Sequence, residues 1–265
     1  MSDQPILTPY FLDEPESDMA DIPVVMGDAV PGDEWRVVQP DLPEGDTTYR
    51  MGVLYRTLAD EVRAAVDAGR RPVSITGDCC ATIGVLAGLQ QAGLEPTLIW
   101  FDAHGDFNTW ETTPSGFLGG MPLAMAVGLG EQTLLEGAGL RPWPDRKVIL
   151  TDGRDLDSGE RENVTRSAIT HLPDVTRLLE PGAIPDGPLY VHFDVDILDP
   201  AEAPAMNYPA PGGPSSQQLK QVFETLAATG RVAAISVSTW DPALDTDGQT
   251  EAVVQSVLKV LIGEE

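Results

Sequence analysis

Two segments of the chain concentrate side chains able to hold a cation. One is Asp102-Ala103-His104-Gly105-Asp106-Phe107-Asn108, the other Asp194-Val195-Asp196-Ile197-Leu198-Asp199-Pro200. Alternate residues of an extended segment point the same way, so Asp102, His104 and Asp106 form one set and Asp194 with Asp196 another. Two like charges ~4 Å apart repel by several kcal/mol at an effective dielectric near ~20, so these acids can meet only around a cation. Carboxylates with one imidazole are hard-to-intermediate donors, suited to manganese more than to zinc. Five such ligands exceed what one ion with open positions can use, and a pair of ions bridged by aspartates fits better.

Bringing both sets to one place is the task of the elements around them. Short apolar runs at Pro72–Thr76, Thr97–Phe101, Lys147–Thr151, Pro188–Phe193 and Val232–Val237 read as buried strands. Between and after them, Tyr55–Gly69, Ala81–Gln91, Ser216–Ala228 and Gln249–Ile262 read as helices; in the first, Leu54, Leu58, Val62 and Val66 recur at helical spacing and Gly69 stops it. Residues 1–50, rich in Pro, Asp and Glu, read as strands and loops, with apolar stretches at Ile22–Met26 and Trp35–Val38. The alternation predicts an α/β domain with a mainly parallel sheet. No repeat or low-complexity linker divides the chain, and residues 1–265 are read as one domain.

Ligands of such sheets gather beyond the carboxyl ends of the strands. Four strand ends carry ionisable residues: the two segments above, Gly77-Asp78-Cys79-Cys80, and Asp152-Gly153-Arg154-Asp155-Leu156-Asp157-Ser158-Gly159-Glu160. Each alone is ordinary strand-to-turn chemistry; their conjunction at one edge is what indicates a site. His171 falls in a helix-to-loop stretch and His192 inside a strand, on the side shared with Asp194 and Asp196; neither is given a role.

Composition narrows the class of partner. Sixteen Lys and Arg stand against 42 Asp and Glu, a formal charge of −26. Such a chain avoids phosphate backbones and anionic membranes, so neither nucleic acid nor membrane is an expected partner. Metal ions and cationic small molecules are. The surplus acid is read as surface solubilisation, with adaptation to salt as the alternative. No apolar run reaches the ~18–20 residues of a spanning helix, the N-terminus shows no signal-peptide pattern, and the expected location is cytoplasmic. Cys79 and Cys80 are the only cysteines and are adjacent, which excludes a disulfide scaffold.

The motifs resemble those of the arginase–agmatinase family, the ureohydrolases. That family's pattern is Gly-Gly-Asp-His-Ser, then Asp-Ala-His-x-Asp-x-Asn, then Asp-x-Asp-x-x-Asp-Pro; the second is intact from Asp102 to Asn108 and the third from Asp194 to Pro200. The order and spacing run over roughly residues 72–245. The resemblance implies a three-layer αβα fold and two Mn2+ ions, bridged by Asp102 and Asp194, with His104 and Asp196 on one ion and Cys79 and Asp106 on the other. Hydroxide attacks a guanidino carbon, with Asp106 and His104 at the catalytic step. A closer likeness to arginase places Asn108 and Ser115 against the amino-acid head of the substrate. Arg154-Asp155-Leu156-Asp157-Ser158-Gly159-Glu160 matches a family segment in which Asp157 and Glu160 bind the α-amino group. Members of the family form trimers or hexamers, so a homo-oligomer is expected.

Three positions depart from the pattern. The first-motif His is Cys79, the proton-shuttling His four residues beyond Ser115 is Gly119, and the acid facing the guanidinium is Thr239. Cys79 is either a thiolate ligand or a small buried hydrophobe with a weakened first ion. A guanidinium buried without a carboxylate is costly, whereas a less basic N-hydroxyguanidine enters neutral. A branch of the family that hydrolyses Nω-hydroxy-L-arginine resembles this chain in placing Cys at the first ligand. The expected reaction is therefore Nω-hydroxy-L-arginine to hydroxyurea and L-ornithine. The alternatives are an ordinary arginase or agmatinase and, from another class, a non-catalytic protein of this fold.

Overall fold

The computed structural model describes residues 2–31 and 34–263. Eight strands form the central sheet: β1 (Asp3–Thr8), β2 (Arg36–Val37), β3 (Arg71–Thr76), β4 (Thr97–His104), β5 (Val148–Asp155), β6 (Thr170–Leu172), β7 (Leu189–Asp194) and β8 (Val232–Ser238). Their order is β2-β1-β3-β8-β7-β4-β5-β6, and every pairing is parallel. A parallel sheet needs cover on both faces. One apolar layer joins Leu98, Trp100, Leu150 and Tyr190 to α1 (Thr47–Asp67), α2 (Thr82–Gln91) and α3 (Thr133–Ala138); the other joins Ile99, Phe101, Val191 and Phe193 to α5 (Ser216–Ala228) and α6 (Gln249–Ile262). The fold is a three-layer αβα sandwich. A further helix, α4 (Ser158–Arg166), follows β5 and carries site residues. Among the described residues no helix is long and apolar enough to cross a membrane.

Alternation along the strands fixes the site's orientation. Leu98, Trp100 and Asp102 face one way along β4, and Tyr190, His192 and Asp194 continue the same row on β7, with Trp100 and His192 paired across the register. The apolar row ends in carboxylates at the carboxyl edge.

Several elements differ from the sequence reading. Helix α1 begins at Thr47, eight residues before Tyr55, because Asp46 caps it by accepting from the Tyr49 amide at 2.9 Å. Ile22–Val25, read with the strands and loops, is a single helical turn with Pro23 in its first turn, where the missing N–H costs nothing. His171 lies in the edge strand β6 rather than a helix-to-loop stretch; its Nε2 meets the Asp152 carbonyl at 2.8 Å. Strands β4 and β5 run on to His104 and Asp155, into the motifs themselves.

Candidate metal centre and substrate cleft

The ends of β3, β4, β5, β7 and β8 converge on a cleft of about 690 Å³, including its open mouth, within the usual range of small-molecule sites. Cys79, Asp102, His104, Asp106, Asp194 and Asp196 line its floor, Asn108, Ser115, Asp157 and Glu160 its flank, and Thr239 closes it from β8. Among the described residues no Lys or Arg lines it.

Local backbone irregularities aim these groups. The β4–β5 register slips between Asp102 and His104, and the imidazole meets Asp196 just beyond the end of β7. Asp106 adopts φ 51 and Thr239 φ 63, left-handed values that a non-glycine residue holds only when its surroundings over-determine them. For Asp106 part of that constraint is its carbonyl, which accepts from the Leu123 and Ala124 amides at 2.9 and 3.1 Å. Arg154, paired with Asp152, donates to the carbonyls of Asp196, Ile197, Ala210 and Pro211 and so anchors the loop behind Asp196.

The ligand atoms fall into two groups that share Asp102. In one, His104 Nδ1 lies 2.9 Å from Asp196 Oδ2 and 3.4 Å from Asp102 Oδ1. In the other, Cys79 Sγ lies 2.7 Å from Asp194 Oδ2 and 3.9 Å from Asp102 Oδ2. Their titration reflects the crowding. Burial first, then the charges of Asp102 and Asp194, push Asp106 well above the usual carboxylate range. Burial, Asp196 and Asp102 do the same to Asp194. Burial and the acids around it, Asp194 foremost, push the Cys79 thiol up. Burial opposes charging of His104, but Asp102 and Asp196 outweigh it and raise the imidazole to about 12. Asp106 Oδ2 is buried with no hydrogen-bond partner. An orphaned carboxylate oxygen, carboxylates that cannot ionise together and a row of oxygen, nitrogen and sulfur donors fit divalent cations, which satisfy all three at once.

On the flank, Asn108 Nδ2 donates to Asp157 Oδ2 at 3.0 Å. Ser115, at the exposed lip, exchanges a hydrogen bond with Thr113 and accepts from the Phe117 amide. Glu160 is more committed than its motif suggests: its oxygens accept from the Phe107 and Asp157 amides at 2.8 and 3.0 Å, tying α4 to the β4 loop. Burial raises its carboxyl to about 7. Phe117 packs between Phe11 and Tyr208 at the mouth.

One side chain at the floor was set aside in the sequence reading. His192 Nε2 lies 3.3 Å from Cys79 Sγ, within the group of Cys79, Asp102 and Asp194. Its period-two relation to Asp194 is visible in the sequence and puts it on that side; its approach to Cys79, from a different strand end, is not.

The model of the arginase family matches residues 13–263, and the chain belongs to that family. Two relatives stand at similar distance. The N(omega)-hydroxy-L-arginine amidinohydrolase of Streptomyces lavendulae is 31% identical over 223 residues, 83% of this chain and 76% of the relative. The arginase of Bacillus subtilis strain 168 is 32% identical over 220 residues, 78% and 74%. Among solved structures, arginase from Bacillus cereus superposes with a TM-score of 0.86 at 26% identity, covering 100% of this chain and 99% of the other; that from Bacillus caldovelox gives 0.84 at 28%, with the same coverage. The chain is thus a hydrolase of C–N bonds in amidines, of a family that works with two metal ions on small guanidino substrates.

Proposed function

We propose that this arginase-family hydrolase cleaves the guanidino group of an arginine-type L-amino acid, taking Nω-hydroxy-L-arginine to hydroxyurea and L-ornithine ahead of L-arginine. The observation that carries the choice is Thr239: it lines the cleft where the family pattern has an acid facing the guanidinium. A neutral N-hydroxyguanidine avoids the cost of burying a strong cation without its own carboxylate.

In this reading Cys79 and Asp106 would hold one divalent ion and His104 and Asp196 the other, with Asp102 and Asp194 serving both, and manganese would match the carboxylate-rich donors. When bound, the ions supply the charge that makes water nucleophilic near neutral pH. The protein's own groups do the rest. Asp106, which accepts no protein hydrogen bond at Oδ2, would take a proton from the attacking water through a carboxylate oxygen not engaged by an ion. His104 stands beside it at the floor. Asn108 and Ser115 receive the substrate carboxylate, and Asp157 with Glu160 the ammonium. Phe11, Phe117 and Tyr208 screen the mouth from water. A cytoplasmic location, a homo-oligomer and one domain over residues 1–265 belong to the same proposal.

The test is a substrate panel with the manganese-loaded enzyme, assayed for ornithine, urea and hydroxyurea. Nω-hydroxy-L-arginine is expected to exceed L-arginine in kcat/KM by at least ~10-fold, about 1.4 kcal/mol of differential transition-state binding. A preference for L-arginine would establish the second reading, an ordinary arginase. The head-group set of Asn108, Ser115 and Asp157 favours that reading equally, since both substrates share the same α-amino acid.

A further inference from the structure

The first motif has lost its histidine, yet an imidazole still reaches that end of the site from a different strand. His192 is fully buried on β7, with the Trp100 ring tilted against it at 3.9 Å between centroids. Its Nδ1 meets two hydroxyls, Ser236 Oγ at 2.8 Å and Thr82 Oγ1 at 3.1 Å. Either hydroxyl can accept the ring proton there, which leaves Nε2 as a bare donor pointing at Cys79 Sγ, 3.3 Å away. Second partners of this kind are how proteins fix the tautomer and direction of a ligating histidine.

The surroundings of Nε2 decide what it faces. While Cys79 is a thiol, its proton can sit between sulfur and nitrogen. Once Cys79 binds metal as the thiolate, that proton is gone. Two lone pairs and two carboxylates then share one pocket, all four donor atoms lying within 4.8 Å of one another. Only a cation relieves that arrangement.

We propose that His192 Nε2 is a direct ligand at the first metal position. It joins Cys79, Asp102, Asp106 and Asp194 in a donor set whose sulfur and nitrogen favour a softer divalent ion, of the cobalt, iron or zinc kind, than the one that suits the His104–Asp196 position beside it. A thiolate and an imidazole move a site from the manganese end of the donor scale toward these ions, while His104 with carboxylates stays near it. The two residues form one unit: sulfur stands at position 79 where the family motif has a nitrogen, and His192 brings a nitrogen from β7, across the intervening β8. This inference rests on the two-metal reading above.

Cobalt alone is the probe, because a thiolate–cobalt(II) bond gives a near-ultraviolet charge-transfer band and the visible bands report the remaining donors. The wild type titrated with cobalt is expected to bind two equivalents and to show the charge-transfer band with the tighter one. Cys79→Ser should lose that band. His192→Asn keeps a polar group near Ser236 and Thr82 but removes the donor at Nε2; it should keep the band, shift the visible spectrum and weaken the tighter equivalent at least ~10-fold. Circular dichroism and metal-free unfolding establish that each variant is folded, and His192→Gln, which returns an amide near the Nε2 position, should recover part of the affinity. No cobalt binding at all would overturn this proposal and the two-metal reading together. Two equivalents without a charge-transfer band, or an unchanged affinity and visible spectrum in His192→Asn, would overturn this proposal alone.

Discussion

The Thr239 hydroxyl donates to Asp194 Oδ1, the carboxylate whose other oxygen meets the Cys79 sulfur. A residue that lines the cleft from the β8 side is therefore wired to a buried acid at its floor. Thr239 holds φ 63, a conformation unfavourable for a β-branched residue by roughly 1–3 kcal/mol. Thr239→Ser, which keeps the hydroxyl, should stay within about 3-fold of wild-type kcat. Thr239→Val, which keeps the shape and loses the donor, should fall by ~10-fold or more, since a buried carboxylate is left one hydrogen bond short. Equal activities for the two would show that the hydroxyl does not position Asp194. Thr239→Glu supplies the missing counter-charge and should narrow the hydroxyarginine-to-arginine ratio by improving arginine.

Asp157 stands at the start of α4 and accepts from Asn108. In the proposed reading its removal takes away both an anion for the substrate ammonium and the orienting partner of Asn108. Asp157→Ala should raise KM strongly for substrates with an α-amino group, by a few kcal/mol in apparent binding when the pair is desolvated. An analogue lacking the α-amino group should be much less affected. Steady-state kinetics on the two substrates decides it: equal losses would remove Asp157 from head-group recognition.

Gly119 is kept small by its neighbour. A Cβ there would sit 2.3 Å from Phe117 Cε1, in a ring that packs between Phe11 and Tyr208. Restoring a histidine at this position thus requires Phe117 to leave its place. Gly119→His should lower the urea midpoint by the equivalent of ~1–3 kcal/mol, the usual cost of overpacking. The double variant with Phe117→Ala should recover part of that loss. A single variant as stable as wild type would show that the mouth tolerates the ring after all.

Stability of the chelated protein should depend on pH in an unusual direction. Burial raises Glu160 to about 7 and Asp196 to about 6, and lifts Asp106 and Asp194 as well. A group whose pKa is raised on folding contributes stability below its unfolded value and loses it as pH climbs through the folded one. His104, raised to about 12 by Asp102 and Asp196 against burial, acts in the same direction. His192, lowered to about 4 by burial, opposes, but only below its ordinary value of 6.5. Between pH 8 and 6 the chelated protein should therefore gain stability on acidification, by at least ~1 kcal/mol in urea unfolding. Loaded with divalent ions the slope should reverse, because the same carboxylates must then be ionised. A chelated protein more stable at pH 8 than at pH 6 would contradict the assignment.

The sequence by itself determined the class of fold and the chemistry of the floor. The inner strands β3, β4, β7 and β8 show as apolar runs because they are buried on both faces, and the helices at Ser216–Ala228 and Gln249–Ile262 show a helical period because each buries one face. Aspartates and a histidine at alternating positions carry their own argument, since like charges so spaced need a cation. Near the N-terminus the local signals were weaker. The start of α1 depended on one cap, Asp46, and Ile22–Val25 is too short for a helical period to show. Tertiary structure alone decided which residues from distant strands share a cavity. It set Thr239 against Asp194 across β7 and β8, closed Phe117 over Gly119, engaged Glu160 with backbone amides and brought His192 to Cys79 across 113 positions of sequence. The reason is physical. Spacing along a strand fixes which side a residue faces, but strand order and register fix what it meets there, and those follow from the packing of the whole sheet between its two helical layers.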